Sequence, residues 1–164
     1  MKKIALALCL SSLVTLPATA VARDQAAPIV LPKPTPGKGQ IVIFRPSSMG
    51  FAIKCTVREN GAMIGRVGAG KYYVVEVEPG VHTLTAKSEA TDTVTVQVEP
   101  DETSFVKCNI AMGMMVGRPN LAPAAAADFT SVSGKVTPMD SAKIAGEIAK
   151  DREQLAAKAV KPAG

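Results

Sequence analysis

Between Gln40 and Leu121 the chain is divided into short runs in which apolar and polar residues alternate, and turn-forming residues separate the runs. Val94, Val96 and Val98 show the pattern, since polar residues stand between them. A period of two places successive side chains on opposite faces of a strand. Short strands with a turn about every 8–12 residues are typical of sandwiches. We therefore expect an all-β fold, a small antiparallel β-sandwich of about seven or eight strands over residues 40–136, followed by a C-terminal α-helix.

Two of the turn signals are specific enough to predict backbone geometry. Asn60-Gly61 between two alternating runs predicts a hairpin with a type I′ turn, because both central positions of that turn need a positive φ. Pro79-Gly80 suits a type II turn, in which Pro fixes the first φ and Gly supplies a positive second φ. These four residues are predicted to be structural.

Cys55 and Cys108 are the two cysteines that lie within the alternating region. Cys55 shares its predicted apolar face with Phe51, and Cys108 shares its face with Val106, so both sulfurs would point into the space between the sheets. We expect a Cys55–Cys108 disulfide, which closes a loop of 53 residues and would stabilise the fold by about 4 kcal/mol in the chain-entropy model. The alternative is two buried thiols that behave as small apolar residues.

The C-terminal region is Ala-, Lys- and Glu-rich and predicts a helix over residues 137–160. Residues 128–136 are expected to supply one more edge strand before it. Thr137 would cap the helix, Pro138 would fit its first turn, and Asp140 would face the positive end of the helix dipole. Its apolar stripe is thin, which predicts loose packing on the sandwich. The alternative is a helix that docks a partner or a second copy of the chain.

The N-terminus has the pattern of a secretory signal peptide over residues 1–22. Lys2 and Lys3 precede an apolar run, Ile4–Leu16, which is too short to span a bilayer. Small residues follow, so cleavage is expected after Ala22 or after Ala20. This pattern predicts a periplasmic protein, and an exported chain is consistent with a disulfide.

Lipid anchoring is not expected, because the residue before Cys9 is Leu8 and a lipidation site needs a small residue there. Residues 23–39 form a proline-rich linker, whose prolines favour an extended backbone. A plain spacer is the expected role, with a docking segment as the alternative. No later stretch is apolar and long enough for a transmembrane span.

Charge and composition argue against a nucleic-acid partner. The net charge of the chain is +5. Without residues 1–22, 17 basic and 14 acidic residues would leave about +3. The basic residues are scattered, and two Tyr, four Phe and no Trp offer few rings on which bases could stack.

His82 is the one histidine in the sequence, two residues after the Pro79-Gly80 turn. By alternation it shares a face with Leu84 and Ala86, which indicates a structural role at the start of a strand. No Gly-x-Ser-x-Gly elbow is present, and a Cys55–Cys108 bridge would leave no thiolate nucleophile within the alternating region. We therefore expect no catalytic residue, no enzyme activity and no cofactor.

The cluster Met112, Met114 and Met115 is the one candidate for metal chemistry, because thioether sulfur favours Cu(I). Met114 and Met115 are adjacent, so in a strand they would point to opposite sides, which favours apolar packing. Arg45 and Arg118 each precede a proline at a strand end. They are expected to be ordinary surface charges or ion pairs, and the alternatives are a pair with Glu76 or Glu78 or an anionic ligand.

Several motifs occur together in an order that resembles a known type of module. These motifs are Phe44-Arg45-Pro46, Asn60-Gly61, Tyr72-Tyr73, Pro79-Gly80, Ala86-Lys87-Ser88-Glu89-Ala90 and Met112-Gly113-Met114-Met115-Val116-Gly117-Arg118-Pro119. The hairpin region resembles PEGA-type surface modules. The run from Gly39 to Leu121 resembles a bacterial domain-of-unknown-function family of exported proteins and lipoproteins. The resemblance implies a small prealbumin-like sandwich and no established activity.

The sequence thus predicts a non-enzymatic interaction or structural module of the cell envelope. Its partner would be an envelope protein or polymer that the sequence does not identify, and a homo-oligomer through the C-terminal helix is a further expectation. The alternative is a periplasmic carrier of Cu(I) or of a small ligand that uses Met112, Met114 and Met115.

Overall fold

The computed structural model describes residues 29–113 and 117–160. The predicted signal peptide and its cleavage site, the first part of the linker, Met114 and Met115 lie outside the described residues.

The described residues form nine strands, two helices and one 3₁₀ turn, Ser133–Lys135. The elements are β1 (Gly39–Arg45), β2 (Cys55–Glu59), β3 (Ala62–Val67), β4 (Lys71–Val77), β5 (Gly80–Lys87), β6 (Thr91–Val98), β7 (Thr103–Ala111), β8 (Arg118–Ala124), α1 (Ala126–Ser131), β9 (Thr137–Pro138) and α2 (Ser141–Val160). The predicted all-β sandwich with a C-terminal helix is therefore confirmed.

The strands form two sheets, with the order β8-β7-β1-β4-β9 in one and β3-β2-β5-β6 in the other. Most pairs are antiparallel, but β1 is parallel to β7 and β4 is parallel to β9. The expected antiparallel arrangement is found in the other pairs but not in these two. β1 lies at the centre of its sheet and is buried along its whole length, and local alternation contains no information about which distant strand pairs with it.

Strands β1 to β8 run alternately up and down, so the connections between them lie at two opposite ends of the sandwich. The register places Arg45 opposite Lys71, Lys87 opposite Thr91 and Ala111 opposite Arg118. The connections after β1, β3, β5 and β7 therefore share one end. We call it the loop end, and it comprises residues 46–54, 68–70, 88–90, 112, 113 and 117. The other end, which we call the turn end, comprises residues 35–38, 60–61, 78–79 and 99–102.

The core between the sheets contains the predicted disulfide. Cys55 of β2 is bonded to Cys108 of β7, with 6.7 Å between their Cα atoms. Both residues are fully buried among apolar side chains such as Ile43 and Leu84. The bridge joins one sheet to the other, and the prediction of a Cys55–Cys108 disulfide is confirmed.

A second cluster covers the outer face of the five-stranded sheet. Phe129 of α1 packs edge-on against Phe44 and Tyr72, with both pairs of ring centroids 5.3 Å apart. The predicted edge strand over residues 128–136 is wrong, because this segment forms α1 and the 3₁₀ turn. The additional strand is instead β8, at residues 118–124.

The described part of the linker lies against the same face and is not a plain spacer. Ile29 and Leu31 pack against the second cluster. The Gln40 side chain donates a hydrogen bond of 2.8 Å to the carbonyl oxygen of Pro32. The backbone N–H of Thr35 donates one of 2.8 Å to Glu76. The arm therefore belongs to the folded domain.

Helix α2 begins at Ser141, four residues later than expected. Asp140 caps it, since its side chain accepts a 3.0 Å hydrogen bond from the N–H of Lys143. The expected cap at Thr137 is wrong, because Thr137–Pro138 pairs with β4 as β9. Among the described residues, no helix is long and apolar enough to cross a membrane.

Burial of Ile144 and polar contacts with Arg58, Met63 and Arg66 hold α2 on the β2–β3 hairpin. Ile144 is fully buried. Arg66 contacts Glu147 at 2.8 Å, and Arg58 donates to Asp151 at 2.8 Å. Beyond Asp151 the helix is exposed on all sides, including Leu155 and Val160.

Candidate interaction site at the loop end

Arg45, the last residue of β1, organises the longest connection at the loop end. Its side chain is fully buried. Its guanidinium donates hydrogen bonds to the carbonyl oxygens of Met49, Gly50 and Ile53. Burial lowers the pKa of Arg45, and the three carbonyl dipoles compensate part of the lost hydration. The loop 46–54 therefore has a fixed shape around an internal cation.

Two glycines bring a second connection against this loop. A Cβ atom on Gly117 would lie 2.5 Å from Cδ1 of Ile53 and 2.6 Å from Cγ2 of Ile110. A Cβ atom on Gly50, whose φ is +63°, would lie 3.1 Å from the same atom of Ile110. Both glycines pack on Ile110, so the connections after β1 and β7 form one unit.

This unit exposes large apolar side chains. Met49 is 63% exposed, Phe51 is 82% exposed and Met112 is 90% exposed. The alternation that placed Phe51 on the inner face with Cys55 is wrong here, because residues 49–52 form a turn and β2 begins only at Cys55. Phe51 therefore points away from the core.

The charges around these side chains are mainly basic. Residues 45–54 and 107–120 contain no acidic residue. Lys54 and Lys87 are exposed, and Lys71 follows the β3–β4 connection. Of the nearby acidic residues, Glu89 is paired with Arg118 at 3.2 Å. Asp92 accepts hydrogen bonds from the Leu121 N–H and the Asn120 side chain.

The turn end carries the opposite charge, with acidic residues at or beside each of its connections. These acidic residues are Glu59, Glu76, Glu78, Glu99, Asp101 and Glu102. Several of them close the turns locally. Asp101 accepts a 2.9 Å hydrogen bond from the N–H of Gly37. Hydrogen bonds from Thr35 lower the pKa of Glu76, and the hydrogen bond to Glu78 raises the pKa of Lys38.

His82 belongs to the turn end and is tied to it through both ring nitrogens. Its Nδ1 lies 2.7 Å from Oε1 of Glu59, and its Nε2 lies 2.8 Å from the carbonyl oxygen of Glu78. The residue is buried on the same face as Leu84 and Ala86. The ring therefore links β2 to the β4–β5 connection, which fits the structural role predicted for it.

The backbone geometry of the two predicted turns differs. Asn60 and Gly61 have φ values of 49° and 82°, the positive values that a type I′ hairpin needs. Gly80 has a φ of 141°, which is positive but far from the roughly +80° of a type II turn. The reason is that the Pro79-Gly80 connection carries the chain from one sheet to the other, since β4 and β5 belong to different sheets.

The predicted metal ligands are only partly described. Met112 is exposed at the loop end, while Met114 and Met115 fall outside the described part of the chain. Within residues 29–113 and 117–160, no group of three or more His, Cys, Asp or Glu side chains could hold a metal ion.

The fold separates Arg45 and Arg118 from Glu76 and Glu78, which lie at the turn end with Thr35 and Lys38. Arg118 is paired with Glu89 at the surface. The expectation that Arg45 is an ordinary surface charge is wrong, because its side chain is buried against carbonyl oxygens. Sequence reasoning missed the role of Arg45. One available signal was its position directly after an uninterrupted apolar run, Ile41–Phe44, which is typical of a strand buried on both faces.

A comparison with family models matches residues 35–118, which are 84 of the 164 residues, to the family described as "Protein of unknown function (DUF2846)". No curated protein and no solved structure matches the chain. The matched range includes β1 to β7 and both connections that build the apolar unit at the loop end.

Proposed function

The chain belongs to the DUF2846 family of proteins of unknown function, and we propose that it is a non-enzymatic interaction module of the cell envelope. It contacts its partner through the loop end. The observation that carries this proposal is the exposure of Met49, Phe51 and Met112 at one end of the sandwich, where Arg45 holds loop 46–54 from inside.

Exposed apolar side chains on an ordered loop are informative because their exposure is unfavourable. Burying a Phe or Met side chain contributes about 1.5–3 kcal/mol, and the fold forgoes this contribution at three positions of one end. Arg45 holds loop 46–54 in this shape, and Gly117 packs closely against Ile53 and Ile110. Exposed apolar side chains grouped at one end of a domain, with polar residues around them, are typical of an interaction site.

Location in the envelope is part of the same proposal. The signal-peptide pattern of residues 1–22 and the Cys55–Cys108 bridge support export to the periplasm without a lipid anchor. The finer likeness to PEGA-type and prealbumin-like sandwiches is also proposed, and the Asn60-Gly61 hairpin in a two-sheet domain supports it.

The absence of enzyme activity is proposed from the state of the candidate nucleophiles and bases. The sulfurs of Cys55 and Cys108 are bonded to each other. Both nitrogens of His82 face acceptors of the protein itself. These groups therefore stabilise the fold.

Site-specific crosslinking in intact envelopes tests the proposal. A photoreactive amino acid replaces Phe51 in one variant, and Val81 in a matched control that is 67% exposed at the turn end. We expect a defined adduct with an envelope component from position 51 and none from position 81. Equal adducts from both positions, or none from position 51, would remove the loop end as the contact site.

A Cu(I) carrier is the second candidate, because the exposed thioethers of Met49 and Met112 lie at the same end. Met112→Leu keeps the apolar volume and removes the sulfur, so it separates copper binding from apolar contact. A copper carrier would show a rise of melting temperature with Cu(I) that is lost in Met112→Leu. Met63→Leu, at a buried methionine, is the control. No rise in the unmodified protein would reject this candidate.

A further inference from the structure

We infer that the partner at the loop end is an anionic lipid surface, into which Phe51, Met49 and Met112 insert. This inference rests on the proposed function, because it names the class of partner for the same site. Two observations support it: the charge distribution of the two ends, and the hydrogen bonds from Arg45 to carbonyl oxygens of loop 46–54.

The charge distribution orients the molecule toward a negative surface. Lys54, Lys71 and Lys87 lie at the loop end, and the two connections nearest to Phe51 contain no acidic residue. The turn end carries most of the acidic residues of the sandwich. Two ends of opposite sign give the domain a dipole, which steers association with a charged surface. An anionic bilayer would attract the loop end and repel the turn end.

Three carbonyl groups of loop 46–54 have hydrogen-bond donors within the protein and so do not depend on water. Carbonyl groups that enter the apolar part of a bilayer need hydrogen-bond donors from the protein, because the lipid offers none. Arg45 supplies donors to the carbonyl oxygens of Met49, Gly50 and Ile53 from below the loop. These three carbonyl groups therefore keep their hydrogen bonds when water is removed.

The side chains themselves fit an interface of lipid headgroups and acyl chains. Phe51 and Met49 project from a turn, and Lys54 follows three residues after Phe51. An apolar tip with lysines behind it places rings and thioethers among the acyl chains and ammonium groups among the phosphates. The centre of a protein interface, by contrast, is typically poor in lysine.

Vesicle binding tests the inference directly. The oxidised protein, purified after export, is mixed with vesicles of equimolar phosphatidylglycerol and phosphatidylcholine, or of phosphatidylcholine alone, and the bound fraction is measured by sedimentation. We expect Phe51→Ser to weaken binding to the anionic vesicles on the order of tenfold. We expect Lys54→Glu to weaken it at least about fivefold. Added salt should weaken the binding of the unmodified protein.

Matched variants control for other contributions. Val81→Ser removes an exposed apolar side chain at the turn end, and Lys158→Glu changes a charge on the exposed part of α2. All proteins compared are purified in the same exported form, so any contribution of the N-terminal segment is common to them. Neither control should lower binding, and the melting temperature of Phe51→Ser should stay unchanged because Phe51 is exposed.

The possible outcomes separate the inference from the proposed function. Equal binding to both vesicle types, or binding that Phe51→Ser leaves intact, overturns the lipid inference. If vesicles are not bound but crosslinking at position 51 captures a protein, the interaction module stands and its partner is a protein. If position 51 gives neither vesicle binding nor an adduct, both proposals fail.

Discussion

The two ends of the sandwich connect the same strands in different ways. At the turn end, carboxylates close short connections through contacts with nearby backbone and side-chain groups, as with Asp101 and Gly37 or Glu59 and His82. At the loop end, the carbonyl oxygens of a long loop are satisfied from the inside by Arg45, and apolar side chains face outward. The turn end uses its polar groups for stability. At the loop end, loop 46–54 is held from inside while its exposed apolar side chains add little to stability, which is the basis of the proposed binding role.

The largest loss of stability should come from removing the disulfide, which lies in the core and includes Cys55, the residue directly after loop 46–54. Replacing Cys55 and Cys108 together by alanine should lower the free energy of unfolding by about 4 kcal/mol, because the denatured chain gains entropy. Urea denaturation under non-reducing conditions measures the difference. A loss below about 1 kcal/mol would show that the strand network alone fixes the base of the loop end.

Replacing Arg45, the buried cation of the loop end, should give the next largest loss of stability. Arg45→Ala leaves three carbonyl oxygens without their donor and should cost about 3 kcal/mol. Arg45→Lys keeps the charge with fewer donors and should cost less. Arg118→Ala is the surface control, with an expected loss under about 1 kcal/mol. Equal losses for Arg45→Ala and Arg118→Ala would contradict the organising role of Arg45.

At the turn end, the contact between His82 and Glu59 should contribute to stability and not to binding. Glu59→Ala removes the acceptor of a mostly buried ring nitrogen and should lower the free energy of unfolding by about 1–2 kcal/mol. The bound fraction in the vesicle assay should stay the same. A change in binding as large as that of Phe51→Ser would show that the two ends are not independent.

The features of the fold that the sequence predicts correctly are those that depend on a few neighbouring residues. The Asn60-Gly61 hairpin and the inward faces of Cys55 and Cys108 follow from alternation and turn chemistry over a few residues. The β8 strand was missed because Pro119 and Pro123 interrupt its pattern. The structure accommodates them because β8 is an edge strand that pairs only with β7.

For the candidate interaction site, the sequence indicates which residue types are present but not how they are arranged. The methionine cluster and Arg-Pro motifs were visible, but alternation assigned Phe51 to the core. Its exposure depends on a turn that Arg45 closes through contacts with the loop that follows it. The parallel pairing of β1 with β7, about 60 residues apart, depends on the whole core and has no local signal.

A smaller, pH-dependent effect should come from the contact of α2 with the β2–β3 hairpin. Hydrogen bonds from Arg58 and from the Met63 N–H lower the pKa of Asp151. The stabilisation by ionised Asp151 is therefore complete at pH values above the usual pKa of a carboxyl group. It is lost as the pH falls through the lowered pKa of Asp151 in the folded protein. At neutral pH, Asp151→Asn should cost at most about 1 kcal/mol. Thermal melts should show the two proteins converging in acid, and a constant difference would contradict this account.

Hydrogen exchange with and without envelope membranes tests the contrast between the two ends in one measurement. The backbone amides of residues 46–54 should become protected when membranes are present, while those of residues 60–61 and 99–102 should exchange at unchanged rates. Protection confined to the turn end, or equal protection of both ends, would contradict the assignment of the loop end as the contact surface.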